Sequence, residues 1–346
     1  MCGIFGYYLK DSNPEKNHTF IKKFKTELYQ RGPDSFRYNI FNQFVIGISR
    51  LSIVDISNQT QPWELNNHIT LVFNGEIYNY KHLRSFLKKK GVNLKSFSEV
   101  EVLAHLYNLY SDSFVDLIDG MYAIALFDQR DKSFSLFRDP YGIKPLYWTM
   151  QDGNFAFSSN LNSLMECFGS LNLDLNAVQE YLFHGYCSSS ACIASNINKL
   201  GPSSFLKFKN NKVYSSIYES FTQKKTSLNF EYTPESIDNL IANAVSEQIA
   251  EEVPMGIMLS GGIDSSLLAK YLSLNKNCPS NIKTYSVQYL DKNNSTDYLY
   301  AKKLSEELKF NHETITISSK ELISCLEKAS SNLDERISDT GIIGTN

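Results

Sequence analysis

Short apolar runs separated by turns dominate about the first 200 residues of the chain. Runs of this length, rich in β-branched and aromatic residues and bounded by turn formers, are typical of β-strands. Six such runs are "CGIFGYYL", "QFVIGISRLSIVD", "HITLVFNGEIYN", "YAIALFDQ", "SFSLFRDPYG" and "NFAFSSN". Two further segments carry apolar residues at helical spacing, namely Phe20, Ile21, Phe24 and Leu28, and Val102, Leu103, Leu106 and Leu109. The pattern predicts stacked antiparallel sheets with flanking helices.

From Thr233 onward the pattern changes to an alternation of helices and strands. The predicted strands are "PMGIMLSG", "IKTYSVQYL" and "HETITI", and amphipathic helical segments lie before, between and after them. Such alternation is typical of a parallel, doubly wound α/β sheet. A polar, turn-rich stretch precedes it. We therefore predict a first domain over 1–210, a linker over 211–232 and a second domain over 233–346.

Composition and charge narrow the classes of function. The chain has 42% hydrophobic residues, which is ample for packed cores, but no apolar run near the roughly 18 residues of a membrane span. A net charge of −3 gives no polycationic surface for nucleic acid. The six cysteines form no CxxC pair and no cysteine–histidine cluster. We expect small-molecule partners, no nucleic acid, no membrane and a cytoplasmic location.

Cys2 is the first candidate for chemistry, because it follows the initiator methionine directly. Initiator methionine is normally removed before a small residue, which would leave the thiol and the α-amine on one residue. An α-amine has an unperturbed pKa of about 8 and can accept the thiol proton, usually through a water molecule. The competing interpretation is a small buried hydrophobic residue at the start of a strand.

Four motifs accompany Cys2: "QRGPDS" at 30–35, "SRLSIVD" at 49–55, "NGEIYN" at 74–79 and "RDPYGIKPLYW" at 138–148. In order and spacing they resemble the glutaminase domain of class II glutamine amidotransferases, and most closely the glutamine-hydrolysing asparagine synthetase family. The resemblance implies an α+β N-terminal nucleophile fold, a four-layer αββα sandwich. It also implies that Cys2 attacks the side-chain amide of glutamine, releasing ammonia and leaving a thioester.

The same resemblance gives roles to residues near Cys2. Arg50 would bind the α-carboxylate of glutamine with its planar guanidinium, unless it forms a surface ion pair. The Asn74 amide and the Gly75 backbone N–H would stabilise the oxyanion, unless the pair is an ordinary hairpin turn. Glu76 would help to bind the substrate or would be a solvated loop carboxylate.

One position departs from the family pattern. Where the family usually has an aspartate that binds the substrate α-amine, "SFSEVEV" places Glu99, whose side chain is one methylene longer. Alternatively, Glu101 or a backbone carbonyl takes part of that role. Arg31 and Gly32 resemble a loop that packs over the nucleophile, and a purely structural role for them is equally open.

A second chemical motif, "MLSGGIDSS" at 258–266, lies between a predicted strand and a predicted helix. Its glycines open the backbone into a group of N–H donors, and serine hydroxyls add more, which suits phosphate. It is not a Walker loop, since no lysine follows the last glycine. The motif is similar to the SGGxDS sequence of the ATP-pyrophosphatase superfamily, whose members cleave ATP between the α and β phosphates. Asp264 would work with Mg²⁺ bound to pyrophosphate.

The resemblance implies ATP contacts at Leu259, Ser260, Gly261, Gly262, Asp264, Ser265, Ser266 and Val287. Leu259 and Val287 have a competing role as core residues. The segment "LDERISDTGIIGT" is similar to an acidic family segment near the aspartate and metal region, which makes Asp334, Glu335 and Asp339 further candidates.

Together the motifs predict glutamine-dependent asparagine synthesis, in which ammonia attacks aspartate activated by ATP, with Mg²⁺ as cofactor. A later SG-rich motif of the family is missing, so we expect a fragment or a natural truncation. Three alternatives stay open: amidation of another carboxylate, glutaminase activity alone, and a glutamine- or nucleotide-binding protein without turnover. Sugar-phosphate and phosphoribosyl amidotransferases are disfavoured by the SGGIDSS segment. The resemblance leaves room for a homodimer.

Overall fold

The computed structural model describes residues 1–53, 61–169, 172–188, 190–218, 233–249, 253–276, 278–279, 282–290, 296–335 and 337–338. The chain divides into two compact units. The first contains Met1–Lys225 and Asp334–Ser338, and the second contains Thr226–Leu333 and Asp339–Asn346. The short stretch after Leu333 therefore belongs to the first unit, although the sequence pattern placed it in the second domain.

The first unit contains two sheets and five α-helices among its described residues. The strands are β1 (Gly3–Tyr8), β2 (Ser35–Phe41), β3 (Phe44–Arg50), β4 (Trp63–Leu65), β5 (Ile69–Ile77), β6 (Gly120–Asp128), β7 (Ser133–Arg138), β8 (Tyr147–Gln151), β9 (Asn154–Ser158), β10 (Asn198–Lys199), β11 (Ser204–Lys209) and β12 (Lys212–Ile217). The helices are α1 (Pro14–Leu28), α2 (Tyr80–Lys89), α3 (Glu99–Tyr110), α4 (Leu161–Phe168) and α5 (Leu175–His184). A 3₁₀ helix spans Ser111–Leu117.

The strands form two six-stranded sheets in which every pairing is antiparallel. One sheet has the order β10-β8-β9-β1-β3-β2 and the other has the order β12-β11-β7-β6-β5-β4. Side chains alternate between the two faces of a strand, so each sheet can bury one face against its partner and the other against helices. The long apolar runs of β1, β3 and β6 are buried for this reason.

Three hydrophobic clusters show the layers. Ile4 and Ile46 of one sheet pack with Val72 and Phe127 of the other in the cluster between the sheets. On the outer face of the first sheet, residues of β1 pack against α1 and α4. On the outer face of the second sheet, residues of β5 and β6 pack against α2 and α3. The predicted four-layer αββα sandwich is confirmed.

The predicted linker begins too early in the sequence. Residues 212–217 form β12, which pairs with β11 from Ser204↔Ile217 to Lys209↔Lys212. Asn210 and Asn211 have φ angles of 51° and 58°, which is the left-handed conformation of a tight hairpin turn. The polar turn was therefore a hairpin inside the sheet and not a domain boundary. Residues 219–232 of the predicted linker lie outside the described residues.

The second unit contains a parallel sheet with helices. Its described elements are α6 (Pro234–Glu247), β13 (Gly256–Met258), α7 (Ile263–Leu274), β14 (Lys283–Tyr289), α8 (Asp297–Glu307), β15 (Asn311–Ile317) and α9 (Ser319–Asn332). The strands pair in parallel in the order β13-β14-β15. Ala269 of α7 and Ala301 of α8 pack in one cluster with Leu259. The prediction of a parallel α/β sheet in this part of the chain is confirmed.

Among the described residues, no helix combines the length and the apolar character needed to cross a membrane.

Candidate active site and nucleotide-binding loop

A pocket in the first unit gathers all six candidate residues of the glutaminase motifs. It lies where β3 and β5 end, near the chain start. Its lining residues are Met1, Cys2, Arg50, Leu51, Ile53, Gln61, Phe73, Asn74, Gly75, Glu76, Ser98, Glu99 and Lys144. The residues that line the pocket with Cys2 thus come from six separate stretches of sequence.

Cys2 precedes β1 directly, and its thiol is held by the segment that follows β3. The Leu51 N–H donates to Cys2 Sγ at 3.4 Å, and the Leu51 carbonyl lies 3.4 Å from the same sulfur as an acceptor. Burial raises the pKa of the Cys2 thiol above its ordinary value, and the Leu51 hydrogen bond offsets part of this rise. A thiol in this state is neutral at pH 7 and needs a base before it can act as a nucleophile.

Charged and backbone groups surround the start of the chain. Burial lowers the pKa of the Met1 amino group, which favours the neutral form that can accept a proton. Arg31 Nε donates to the Cys2 carbonyl at 3.3 Å. A Cβ at Gly32 would lie 2.1 Å from the Ser49 carbonyl oxygen, so only glycine fits there. The Arg31–Gly32 loop thus packs against the nucleophile residue, as the sequence motif predicted.

Asn74 and Gly75 lie near the end of β5 and pair with Ala123 and Tyr122 of β6. Asn74 is 2% exposed, and its Nδ2 has no hydrogen-bond partner among the described residues. A buried amide donor without a partner costs free energy, so its retention in a pocket points to a ligand that accepts from it. A Cβ at Gly75 would lie 2.0 Å from the Met121 carbonyl oxygen. Glycine is therefore required for β5 to approach β6 this closely.

Arg50 is the last residue of β3 and is 5% exposed, so it is not a surface ion pair. It lines the same pocket as Asn74 and Gly75. Glu76 follows on β5 and is partly buried on the same lining. The solvated-loop interpretation of Glu76 is therefore also excluded.

The two glutamates of α3, Glu99 and Glu101, have different hydrogen-bond partners. Glu99 is 6% exposed, lines the pocket, and accepts from the Ile77 N–H through Oε1 at 2.8 Å. Glu101 instead accepts from the backbone N–H groups of Lys95 and Ser96 at 2.6 and 2.7 Å, which holds the loop before α3. The alternative that Glu101 shares the substrate role is wrong, because its carboxylate is engaged away from the pocket.

Lys144 is a pocket residue that the sequence analysis missed. It is 6% exposed, and its Nζ lies 3.5 Å from Met1 Sδ. Burial lowers its pKa, while the charge of Glu76 opposes this effect. The buried Asp139 holds its loop by accepting from the N–H groups of Tyr122, Tyr141, Ile143 and Lys144. The "RDPYGIK" stretch carried the signal, but a lysine between a glycine turn and a proline resembles an exposed loop residue.

The SGG loop of the second unit connects β13 to α7. Ser260 Oγ lies 3.0 Å from Ser265 Oγ, and the Gly262 N–H points to Ser260 Oγ at 3.4 Å. Gly261 has a φ of +78°, and a Cβ there would lie 2.3 Å from the Asp297 carbonyl oxygen. Gly262 caps α7, whose first backbone N–H groups lack partners within the helix. The loop thus presents backbone and hydroxyl donors at a helix N-terminus, as phosphate binding requires.

The remaining residues predicted to contact ATP differ in burial and in their backbone hydrogen bonds. Ser266 lies one turn inside α7, and its N–H donates to the Gly262 carbonyl. Leu259 is 1% exposed and packs in the core, while its N–H donates to the Tyr285 carbonyl at 2.7 Å. Val287 is only partly buried on β14, so the core interpretation does not fully account for it. Asp264 is exposed in the first turn of α7, and no cluster of three metal-ligating side chains exists among the described residues.

Asp334 and Glu335, which follow α9, belong to the first unit and not to the unit of the nucleotide loop. Asp334 Oδ1 accepts from the Leu161 N–H at 2.9 Å, and Glu335 Oε2 pairs with Lys199 Nζ at 2.6 Å. Both partners lie in the first unit, so the prediction of Asp334 and Glu335 as acids of the second domain is corrected. Asp339 lies outside the described residues.

Family models match both parts of the chain. Residues 1–219 match a family described as "Glutamine amidotransferase domain", and residues 236–345 match one described as "Asparagine synthase". Asparagine synthetase [glutamine-hydrolyzing] 1 of Bacillus subtilis (strain 168) is 28% identical, over 99% of this chain and 54% of that protein. Asparagine synthetase [glutamine-hydrolyzing] 3 of Arabidopsis thaliana is 32% identical, over 78% of this chain and 42% of that protein.

Among solved structures, the glutamine phosphoribosylpyrophosphate amidotransferase of B. subtilis in complex with ADP and GMP aligns with a TM-score of 0.45 and 15% identity. The alignment covers 90% of this chain and 65% of that one. The chain spans about half the length of the curated relatives it matches. With Cys2, Arg50, Asn74 and Gly75 gathered in one pocket, the chain belongs to the glutamine amidotransferase family, in the branch that carries an asparagine synthase segment.

Proposed function

We propose that the first unit is a glutaminase that releases ammonia from glutamine with Cys2 as its nucleophile. The observation that carries this proposal is the buried Asn74 Nδ2, which has no partner in the described part of the chain and lines the same pocket as the Cys2 thiol. A nucleophile and an unused amide donor in one pocket suit acyl transfer, in which a carbonyl oxygen gains negative charge. The family membership supports the same reaction.

The first step is the activation of the thiol. After removal of Met1, the α-amine of Cys2 takes the thiol proton, and the raised pKa of the thiol makes this base necessary. The sulfur then attacks the amide carbon of glutamine, and the oxygen accepts from Asn74 Nδ2 and the Gly75 N–H. Collapse of the intermediate breaks the C–N bond, and the protonated amine returns a proton to the departing ammonia. Water then hydrolyses the thioester to glutamate by the reverse use of the same groups.

The substrate is oriented by charge. Arg50 would bind the α-carboxylate of glutamine, and Glu76 and Glu99, which line the same pocket, would bind its α-amine. The Ile77 N–H donates to the Glu99 carboxylate and so fixes its position in the pocket.

We further propose that the second unit binds ATP and that the whole protein makes asparagine from aspartate. Leu259, Val287 and the SGG loop with Ser260, Ser265 and Ser266 would contact the nucleotide, and the loop geometry supports a phosphate at the start of α7. One exposed carboxylate, Asp264, fits Mg²⁺ only if pyrophosphate supplies further oxygens. A related carboxylate acceptor is the second candidate. A cytoplasmic location and a homodimer belong to the same proposal.

The direct test is an assay of the purified chain with glutamine, following glutamate and ammonia. Mass spectrometry after treatment with a glutamine-analogue electrophile reports whether Met1 is removed and Cys2 is labelled. We expect ammonia release and a label on Cys2 alone among the six cysteines. A label confined to other cysteines, with no ammonia, would refute the proposal.

Changing Arg50 to alanine should strongly weaken glutamine use. The substrate carboxylate would lose its partner in a buried position, which typically costs about 2 to 5 kcal/mol. We expect kcat/KM for glutamine to fall by about 30-fold or more, mainly through KM. Arg37, an exposed arginine on the neighbouring β2, is the matched control, and its alanine variant should keep wild-type kinetics. A change below about threefold for Arg50→Ala would make Arg50 structural.

Changing Gly261 to alanine should weaken ATP binding. The new Cβ would collide with the Asp297 carbonyl, and the positive φ is unfavourable for alanine, so the loop must move. We expect a loss of at least about tenfold in ATP affinity, measured by calorimetry. Gly91→Ala is the control, because Gly91 also has a positive φ but no atom within 4 Å of its Cβ position. Equal ATP affinity in wild type and Gly261→Ala would contradict a phosphate site in this loop.

A further inference from the structure

Gln61 is a pocket residue to which the mechanism above gives no task. It lines the pocket that contains Cys2, and it is 8% exposed. Its side-chain Oε1 accepts from the Phe73 N–H at 2.7 Å. Among the described residues, Nε2 of the same amide forms no hydrogen bond. Buried polar groups are normally hydrogen-bonded, so one end of this amide serves the protein and the other end is left for a ligand.

The place of Gln61 follows from the register of the second sheet. Trp63 of β4 pairs with Leu71 of β5, and two residues further back the same register sets position 61 opposite Phe73. Pro62 has no N–H to donate, and β4 begins directly after it. The Gln61 side chain supplies the acceptor for the Phe73 N–H where the strand pairing stops. The amide is thereby fixed to the strand that carries the proposed oxyanion donors.

The same hydrogen bond decides which end of the amide remains for the pocket. A backbone N–H can only donate, so the carbonyl oxygen of Gln61 points to Phe73 and its NH₂ group is the end left over. Asn74 follows Phe73 directly, and its Nδ2 is also buried with no partner among the described residues. Two amide donors that the described part of the protein does not use therefore lie side by side on the pocket lining.

We infer that Gln61 is a third donor to the reacting carbonyl of glutamine, acting through Nε2 beside the Asn74 amide and the Gly75 N–H. The inference rests on the proposed glutaminase function. Arg50 would take the α-carboxylate, which leaves the side-chain carbonyl as the remaining acceptor of the substrate. This oxygen has two lone pairs in the amide and three in the tetrahedral intermediate, so a third donor gains most as the sulfur attacks. Because Oε1 is held by the strand, the donor is already oriented before the reaction.

The first test is Gln61→Glu, which keeps an oxygen for the Phe73 N–H and replaces the NH₂ group with a second oxygen. We expect kcat for glutamine to fall about 30-fold, less than for loss of the Asn74 amide because two donors remain, with KM within about threefold. Gln61→Met removes both ends of the amide. It should lower kcat and should also have a lower melting temperature than Gln61→Glu, since the Phe73 N–H loses its acceptor.

A pH series adds a readout that a structural role would not move. When the introduced carboxyl is protonated, its O–H can donate in place of the NH₂ group. The ratio of wild-type kcat to Gln61→Glu kcat should therefore shrink as the pH is lowered. Gln43→Glu is the matched control, because the Gln43 amide donates to the Lys10 carbonyl outside the pocket lining. That variant should keep wild-type kcat across the series.

Glutamine binding to a Cys2→Ala protein gives a measurement without turnover. The side-chain NH₂ resonances of Gln61, assigned through their loss in Gln61→Met, should shift when L-glutamine is added, and those of Gln43 should not. Unshifted Gln61 resonances at saturating L-glutamine, or wild-type kcat in Gln61→Glu, would overturn the inference and leave the glutaminase function standing. A raised KM with unchanged kcat would place Gln61 at the α-carboxylate and would also overturn it. A wild-type chain that neither binds glutamine nor releases ammonia would refute the proposed function together with the inference.

Discussion

Replacing Cys2 with alanine is expected to abolish ammonia release from glutamine. Among the described residues that line the pocket, Cys2 alone carries a thiol, so no other of them can form the thioester. Loss of the attacking atom in a nucleophilic enzyme removes most of the rate enhancement, so we expect kcat to fall by at least about 10⁴-fold. The measurement is ammonia release at saturating glutamine, with glutamate quantified separately.

The Cys2→Ala protein should remain folded and should still bind glutamine. Cys2 is only a peripheral member of the cluster between the sheets, and Arg50 and Glu99 are untouched. Cys192→Ala is the control for loss of a thiol, since Cys192 is buried among α1 and α4 residues away from the pocket lining. Glutamine hydrolysis retained by Cys2→Ala, or lost equally in Cys192→Ala, would contradict the assignment of the nucleophile.

The layered architecture of the first unit could be predicted because burial follows the period of each element. Ile4 and Phe5 are adjacent on β1, yet one packs between the sheets and the other against α1. Such an alternation is visible in the sequence. The predicted domain boundary fell at the hairpin turn of Asn210 and Asn211. Polar turn residues have the same sequence pattern inside a sheet as between domains, so the sequence could not distinguish the two.

The candidate site was predictable only where local motifs carry it. Asn74 and Gly75 follow one another in the "NGE" motif, which gave both residues their proposed role, whereas the close approach of β6 at Met121 that requires glycine at position 75 appears only in the fold. Lys144 could not be found in this way, because its burial depends on a loop that Asp139 organises through four backbone N–H groups. The contact of Asp334 with Leu161 joins residues 173 positions apart, and no local pattern records such a pairing.

Replacing Asn74 with alanine is expected to have the second largest effect on activity. Its effects on thermal stability and on kcat should have opposite signs. A buried amide donor without a partner costs about 1 to 3 kcal/mol of desolvation, so Asn74→Ala should leave the melting temperature unchanged or raise it.

The activity of the same variant should fall, since the developing oxyanion loses a donor that is worth about 10² to 10³ in kcat. Asn74→Asp should lower kcat further, because a carboxylate would face the oxyanion beside Glu76 and Glu99.

Asn79→Ala is the control. The Asn79 side chain forms hydrogen bonds with Leu117 and Asp119 outside the pocket, so this variant should have a lower melting temperature and an unchanged kcat. A stabilised Asn74→Ala protein with wild-type kcat would show that the oxyanion is bound by the Gly75 N–H without the amide. A variant that loses melting temperature and kcat together would instead make Asn74 a structural residue of β5.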